Sequence, residues 1–265
     1  MAYEDLLVDK EGTIATITLN VPEKLNALSR KMTASLGLAA EELARDDEVR
    51  VVVVTGAGRG FCSGADVTMM RTGTGQTAEV SRFSRLQTTG WPFYDVFPRL
   101  GKPVIAAING PCVGGGFSLA LSCDVRIASE TARFGAAQIA RGLVPDYGLT
   151  YYLPLAIGVS RALELMFSGE IIGAAEALRL GIVSRVVPPD DLMRVTRELA
   201  GKISQQAPTP IELTKKMVWR ALFDGINRQI DLETWAQQIC FQTEDHHEAV
   251  RAFLEKRGQV QFKGK

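Results

Sequence analysis

Two β-branched runs that each break into a glycine-rich loop constrain this chain more than any other feature. Val51-Val52-Val53-Val54-Thr55 runs into Gly56-Ala57-Gly58-Arg59-Gly60-Phe61-Cys62-Ser63-Gly64-Ala65-Asp66. Val104-Ile105-Ala106-Ala107-Ile108-Asn109 runs into Gly110-Pro111-Cys112-Val113-Gly114-Gly115-Gly116 and then the apolar stretch Phe117 to Leu121. Near-continuous apolar runs of this kind mark strands buried on both faces. A glycine loop has no Cβ to keep the backbone away from a ligand. A helix opening behind the loop turns free N–H groups and the positive end of its dipole towards whatever binds there. Two such loops predict two N–H donors for one developing negative charge, which is an arrangement for catalysis.

The rest of the pattern predicts an α/β fold. Thr13 to Leu19 alternates as a strand, Pro22 to Asn26 reads as a loop, and Ser29 caps a helix running to about Arg45. Val125 to Ala128 reads as a further short strand, and Ile182 to Val187 as the last. Strands separated by helical segments imply right-handed βαβ units. From Ser160 onward the pattern is helical, Gly181 closes the segment Ala174 to Leu180, and Pro188-Pro189 and Pro208-Thr209-Pro210 punctuate a helical tail from about Asp190 to Arg257. Between the loops, Thr72 to Leu100 begins like a flexible loop and carries Phe83, Trp91, Phe93, Tyr94 and Phe97, which reads either as a lid with an aromatic underside or as a surface connection with core anchors.

Composition narrows the partners. The 265 residues include 30 Lys plus Arg against 30 Asp plus Glu, so charge gives no reason to expect nucleic acid or an anionic membrane. No apolar run approaches the roughly 18 residues that span a bilayer. The start, Met1-Ala2-Tyr3-Glu4-Asp5, lacks the basic and apolar regions of a signal peptide, and Cys62, Cys112, Cys123 and Cys240 form no Cys-x-x-Cys pair. These features together predict a cytoplasmic protein with reduced cysteines.

Several motifs fail. Phe61 stands where a dinucleotide fingerprint needs its last glycine, and neither loop carries the Gly-Lys-Ser/Thr of a P-loop. The two histidines, His246 and His247, sit in a polar run without a second ligand cluster, so no metal is expected. Gly116-Phe117-Ser118-Leu119-Ala120 nearly matches G-x-S-x-G, and the order Ser118, Asp146, His246 or His247 fits a hydrolase. Ser118, however, falls inside the helix rather than at the strand-to-helix turn, and the histidines read as solvent-facing. A small packing residue is the better account of it.

Taken in order, Phe61-Cys62-Ser63-Gly64-Ala65-Asp66, Lys102-Pro103-Val104-Ile105-Ala106-Ala107-Ile108-Asn109-Gly110, Gly114-Gly115-Gly116, Cys123-Asp124 and Phe134-Gly135 closely resemble the crotonase family, the enoyl-CoA hydratase/isomerase superfamily. Pro22-Glu23-Lys24-Leu25-Asn26-Ala27-Leu28 and Phe253-Leu254-Glu255-Lys256-Arg257 extend the likeness over nearly the whole chain. The resemblance implies a crotonase-like spiral of ββα units with a helical C-terminal region. Residues 1–200 would form the acyl-CoA-binding and catalytic core, and 201–265 a helical region for oligomerisation and closure of the CoA site. It implies a homotrimer or dimer of trimers, an acyl-CoA thioester substrate, and no cofactor beyond the coenzyme A that the substrate brings. By match of motif, the Ala65 and Gly115 N–H groups would hold the thioester oxygen. The implied binding set is Lys24, Ala27, Ala65, Asp66, Val67, Gly114, Gly115, Ser118, Gln138, Phe253 and Lys256.

The chain also departs from the family's hydratases, which carry glutamates where this sequence has Ser118 and Gln138. Neither residue is a carboxylate acid or base, whereas hydration uses a base on water and an acid to deliver a proton to carbon. Asp146, in Leu143-Val144-Pro145-Asp146-Tyr147-Gly148, resembles the functional aspartate of some relatives, among them ring-epoxide and enoyl-CoA isomerases and a dehalogenase. The same residue is a good helix N-cap, and it could serve as both base and cap. The leading expectation is a double-bond shift in an enoyl-CoA with Asp146 as the base. Hydration is the near alternative, and a non-catalytic acyl-CoA-binding protein is the alternative of another class.

Overall fold

The computed structural model describes residues 3–66, 95–257 and 260; within the long C-terminal helix the side chains of residues 223–229 and 232 are not described. A six-stranded sheet is formed by β1 (Leu6–Glu11), β2 (Ile14–Leu19), β3 (Val51–Gly56), β4 (Val104–Ile108), β6 (Val125–Ser129) and β9 (Arg185–Val187), in the order β1-β2-β3-β4-β6-β9. Only β1 and β2 pair antiparallel; every later neighbour is parallel. A smaller sheet joins β5 (Pro111–Val113), β7 (Arg133–Gly135) and β8 (Ile172–Gly173) in the order β5-β7-β8. The expected α/β architecture is present.

The two apolar runs are neighbours. Val52 pairs with Val104, Val53 with Ile105 and Val54 with Ala106, so both glycine loops leave the same edge of the sheet side by side. Both faces of these strands are covered, as a double-sided apolar run requires. Val52, Val54, Ala106 and Ile108 point into the main core, and Val51, Val53, Ile105 and Ala107 pack with Leu192 and Ala200 of α7 (Leu192–Ser204). Helix α1 (Arg30–Arg45) makes the crossover from β2 to β3 and buries Met32, Leu36, Ala39, Ala40 and Leu43 along one stripe. Ser29 is its N-cap as expected, its hydroxyl accepting from the Met32 N–H at 3.0 Å.

Short helices α2 (Val96–Arg99), α3 (Gly115–Leu121), α4 (Leu149–Ile157), α5 (Val159–Ser168) and α6 (Ala174–Leu180) follow, and the chain ends in α7, α8 (Pro208–Phe241) and α9 (Glu244–Leu254). Gly181 closes α6 at φ 86°, the left-handed conformation its position predicts. The structure adds strands that the sequence reading missed. β1 is an edge strand whose Asp9, Lys10 and Glu11 hide it from an apolar search, and β5, β7 and β8 are only two or three residues long. The expected helix behind the first loop, and Thr72 to Tyr94 of the lid segment, lie outside the described residues. At the far end of that segment Phe97 is fully buried, which is the core-anchor alternative for this one aromatic.

Helix α8 spans 34 residues and is tied to the sheet by one carboxylate. Asp124, at the start of β6, accepts from Lys215 Nζ at 2.7 Å, Trp219 Nε1 at 2.7 Å and the Val104 N–H at 2.7 Å. Lys215 also donates to the Lys102 carbonyl at 2.8 Å, and burial pulls its pKa down. Removing one partner of a buried pair strands the other charge, at a cost of about 3–5 kcal/mol. Lys215→Met should therefore destabilise the protein by about that amount in urea unfolding. Lys215→Met combined with Asp124→Asn should recover part of the loss.

Candidate active site

The glycine loops are sewn together by backbone pairing. Cys62 and Cys112 form a parallel bridge, the Cys62 N–H donates to the Pro111 carbonyl at 2.9 Å, and the Val113 N–H returns a bond to the Cys62 carbonyl at 3.0 Å. Two buried or half-buried asparagines hold the first loop from below. Asn26 Nδ2 donates to the carbonyls of Ala57 at 2.9 Å and Gly60 at 2.8 Å, and Asn109 Nδ2 donates to those of Gly56 and Gly58 at 2.9 Å each. The approach is close enough to exclude side chains, at Gly116 and Gly64 among other positions. A Cβ at Gly116 would overlap the Cys62 carbonyl and side chain, and one at Gly64, already at φ 91°, would meet the Val113 carbonyl at 3.0 Å and the Gly115 nitrogen at 3.3 Å.

This suture brings Ala65 and Gly115 to one cavity, which Gln138, Arg141, Leu143 and Asp146 also line. Ala65 is set by its strand-like bridge to Leu28, with the Leu28 N–H on the Gly64 carbonyl at 2.7 Å and the Asp66 N–H on the Leu28 carbonyl at 3.1 Å. Gly115 is the first residue of α3 and has no intrahelical acceptor. Among the described residues, neither the Ala65 nor the Gly115 N–H donates to a protein acceptor. Two free donors therefore meet the cavity from different loops.

Asp146 supplies the carboxylate. Its Oδ1 accepts from Gln138 Nε2 at 3.1 Å and its Oδ2 from Gln237 Nε2 at 2.9 Å. Burial raises its pKa above the usual aspartate value, and the two amide donors oppose that rise. The alternative that Asp146 caps the next helix is corrected. Gly148 occupies the N-cap of α4, and the Gly148 N–H at 2.8 Å and Thr150 N–H at 3.3 Å both donate to Glu233 of α8, as does the Thr150 hydroxyl. A carboxylate brought from another helix does the capping and leaves Asp146 facing the cavity. Burial, with a smaller push from Asp146, lifts the Glu233 pKa to about 7.

Ser118 lies in α3 and is buried, and its hydroxyl donates to the Tyr147 carbonyl. That bond helps hold Tyr147 at φ 57°, with its ring packed against Gly115. The hydrolase arrangement is absent, since His246 Nδ1 pairs with the Arg141 carbonyl at 2.8 Å rather than with Ser118. The expectation that both histidines face solvent is corrected for His246, which is only 4% exposed because α9 packs this face on the turn at Ile139–Arg141. Lys24 pairs with Asp66 at 2.8 Å beside the first loop, Ala27 is buried next to it, and Gly114 contacts Gln138 and Gly64. Phe253 is half exposed with the Arg141 guanidinium 4.7 Å from its ring centre, and Lys256 follows at the end of α9. Val67 lies outside the described residues. Among the described residues no group of three or more His, Cys, Asp or Glu is placed to hold a metal, and no helix is long and apolar enough to cross a membrane.

Sequence reading did not pick out Glu233 and Gln237. The available signal was their spacing of four on a long helix, which puts both polar groups on the face that buries Ile230.

The geometry has clear relatives. The sequence model for enoyl-CoA hydratase/isomerase matches residues 9–265. A short-chain-enoyl-CoA hydratase from Clostridium acetobutylicum is 38% identical over 266 residues, covering 100% of both chains. An enoyl-CoA hydratase structure from Mycobacterium avium subsp. paratuberculosis superposes with a TM-score of 0.86 at 29% identity, covering 99% of this chain and 100% of that one. A monofunctional enoyl CoA isomerase from M. smegmatis superposes with a TM-score of 0.69 at 40% identity, covering 82% of this chain and 93% of that one.

Gly116→Ala should destabilise the protein by about 1–3 kcal/mol, the usual cost of overpacking, with a matching fall in the midpoint of thermal unfolding. Glu233 gives a pH signature. Its pKa in the folded protein, about 7, lies above the 4.5 of a free glutamate, so its stabilising contribution is complete below about pH 4.5 and is lost as pH rises through about 7. Glu233→Gln carries no charge at any pH and should shrink the difference in urea midpoint between about pH 5 and about pH 8.

Proposed function

The chain belongs to the enoyl-CoA hydratase/isomerase family, and on that premise we propose that it shifts a carbon–carbon double bond in an enoyl-CoA thioester, with Asp146 as the base. One observation carries this reading. Among the described residues, Asp146 is the single carboxylate lining the cavity that the Ala65 and Gly115 N–H groups meet. A double-bond shift needs one base that takes a proton and gives it back. The Asp146 carboxylate removes a proton from C2 of a 3-enoyl thioester, and the electron pair spreads over C2, C4 and the thioester oxygen. The same carboxyl then returns the proton to C4, which leaves the double bond conjugated with the carbonyl. No atom or electron is gained or lost, and no outside cofactor takes part.

The Ala65 and Gly115 N–H groups stabilise the negative oxygen that appears only midway, each worth about 2.7–4 kcal/mol in comparable sites. The raised pKa of Asp146 suits a base, because a carboxylate that prefers its proton removes one from carbon more readily. At the positions where the family resemblance puts the hydratase glutamates, Ser118 spends its hydroxyl on the Tyr147 carbonyl and Gln138 spends its amide on Asp146. Neither is arranged as an acid or base. Lys24, Phe253 and Lys256 remain the residues proposed to meet the coenzyme A portion.

Water addition to a 2-enoyl-CoA is the second reading, favoured by the hydratase named as the 38%-identical relative. One assay separates the two. Purified protein given a 3-enoyl-CoA should raise the absorbance of the conjugated 2-enoyl product, and Asp146→Asn should lower kcat by about 10²–10⁴-fold. A full rate in Asp146→Asn refutes the base assignment, and consumption of 2-enoyl absorbance by the wild type establishes hydration. With Asp146 as base, kcat should fall on the acid side at a pH above the ordinary aspartate range.

A further inference from the structure

We infer that Gln237 of α8 is a positioning residue for the reaction: its side-chain amide orients the Asp146 carboxylate. The inference rests on Asp146 being the base. Gln237 is 8% exposed and engages the loop carrying Asp146 at three atoms. Its Oε1 accepts from the Val144 N–H at 3.2 Å, and its Nε2 donates to the Val144 carbonyl at 3.4 Å and to Asp146 Oδ2 at 2.9 Å. The contact to Val144 decides which way the amide points. Only an oxygen can accept from the Val144 N–H, so the nitrogen is obliged to face the carboxylate.

That orientation has two consequences. A hydrogen bond from an amide favours the charged carboxylate, so Gln237 opposes the rise in pKa that burial causes. It also occupies one oxygen from a fixed direction while Gln138 occupies the other, which sets the carboxylate plane relative to the cavity. Among the described residues, the titratable groups that face Asp146 are Glu233, from the same helix as Gln237, and the Tyr147 phenol on its own loop. The Arg141 guanidinium, on the turn at Ile139–Arg141, lines the same cavity. The side-chain hydrogen bonds to the carboxylate come from Gln138 and Gln237. Helix α8 thus reaches the reacting carboxylate from a point anchored at Asp124, about twenty residues earlier along the helix axis at Lys215 and Trp219.

Two substitutions test this on the full-length enzyme, with 3-enoyl-CoA as substrate. Gln237→Leu keeps the bulk and removes the donor. It should lower kcat about tenfold or more, leave KM within about twofold, and move the acid limb of the kcat profile to higher pH. Gln237→Glu keeps the shape and the acceptor for the Val144 N–H, so it reports even if the leucine variant does not fold. Its acid limb should move up by about one pH unit or more, because a second carboxylate then faces Asp146. Acid limbs and kcat that coincide with wild type in the folded variants overturn the inference. A purely structural role would lower thermal stability without moving the limb. The two readings fail separately: a full rate in Asp146→Asn defeats the assignment of the base. A lost rate there, with unchanged kcat and pH profile in the Gln237 variants, defeats only the role of Gln237.

Discussion

Two backbone N–H groups can aim at one oxygen only if the loops that carry them touch without side chains between them. In this protein that contact is the parallel bridge between Cys62 and Cys112, with Gly64, Gly110 and Gly116 where the two loops leave no room for a side chain. Much of the surrounding structure serves it. β3 and β4 must be neighbours for the loops to leave one edge of the sheet, and both must be buried on both faces to be rigid supports. Asn26 and Asn109 then satisfy the carbonyls of a loop too tightly curved to bond to itself, replacing the ladder that a regular strand would have provided. Among the described residues, the N–H groups of Ala65 and Gly115 are left without a protein acceptor.

Helix α8 supplies the second half of the site by a different physics. It is long and held at one end by a half-buried carboxylate with three donors. At the other end it lends polar side chains to a loop that carries none of its own for the purpose. Glu233 takes the N–H groups at the start of α4, and Gln237 takes the Val144 backbone and Asp146. A helix N-terminus left without a cap would compete for the Asp146 carboxylate. By answering that demand from outside, Glu233 leaves Asp146 available to the cavity.

The division of labour bears on chemistry. A pair of N–H donors stabilises any enolate next to a thioester and is silent about where the proton goes, so it defines the electrophile and leaves the reaction open. The acids and bases around it choose. Here the serine and glutamine near the donors are both committed to hydrogen bonds that shape the loop of Asp146, and among the described residues Asp146 is the one carboxylate that lines the cavity. A single shuttling base fits a double-bond shift better than water addition, which asks for activation of water and protonation of carbon from separate places.

Much of this was legible in the residues. The double-sided strands, the helix capped by Ser29, the left-handed Gly181 and the two loops follow from periodicity, capping chemistry and the freedom of glycine, all of which act within a few residues. The edge strand β1 and the short strands β5, β7 and β8 were not legible, because their apolar signal is weak or their length too small. Asp146 shows the limit most clearly: in sequence it suits both a base and a helix cap, and one aspartate there could serve as both. Glu233, 85 positions from Gly148, takes the capping bonds, and Gln237, 91 positions from Asp146, meets its carboxylate. The sequence alone determined the fold class, because the doubly buried strands and the capped helices follow from local pattern; the proposed N–H donors, Ala65 and Gly115, follow from the likeness of the two glycine loops to those of the family. Only the tertiary structure decided what surrounds the Asp146 carboxylate, because the burial and the hydrogen bonds that set its proton affinity come from groups distant in the chain and close in space.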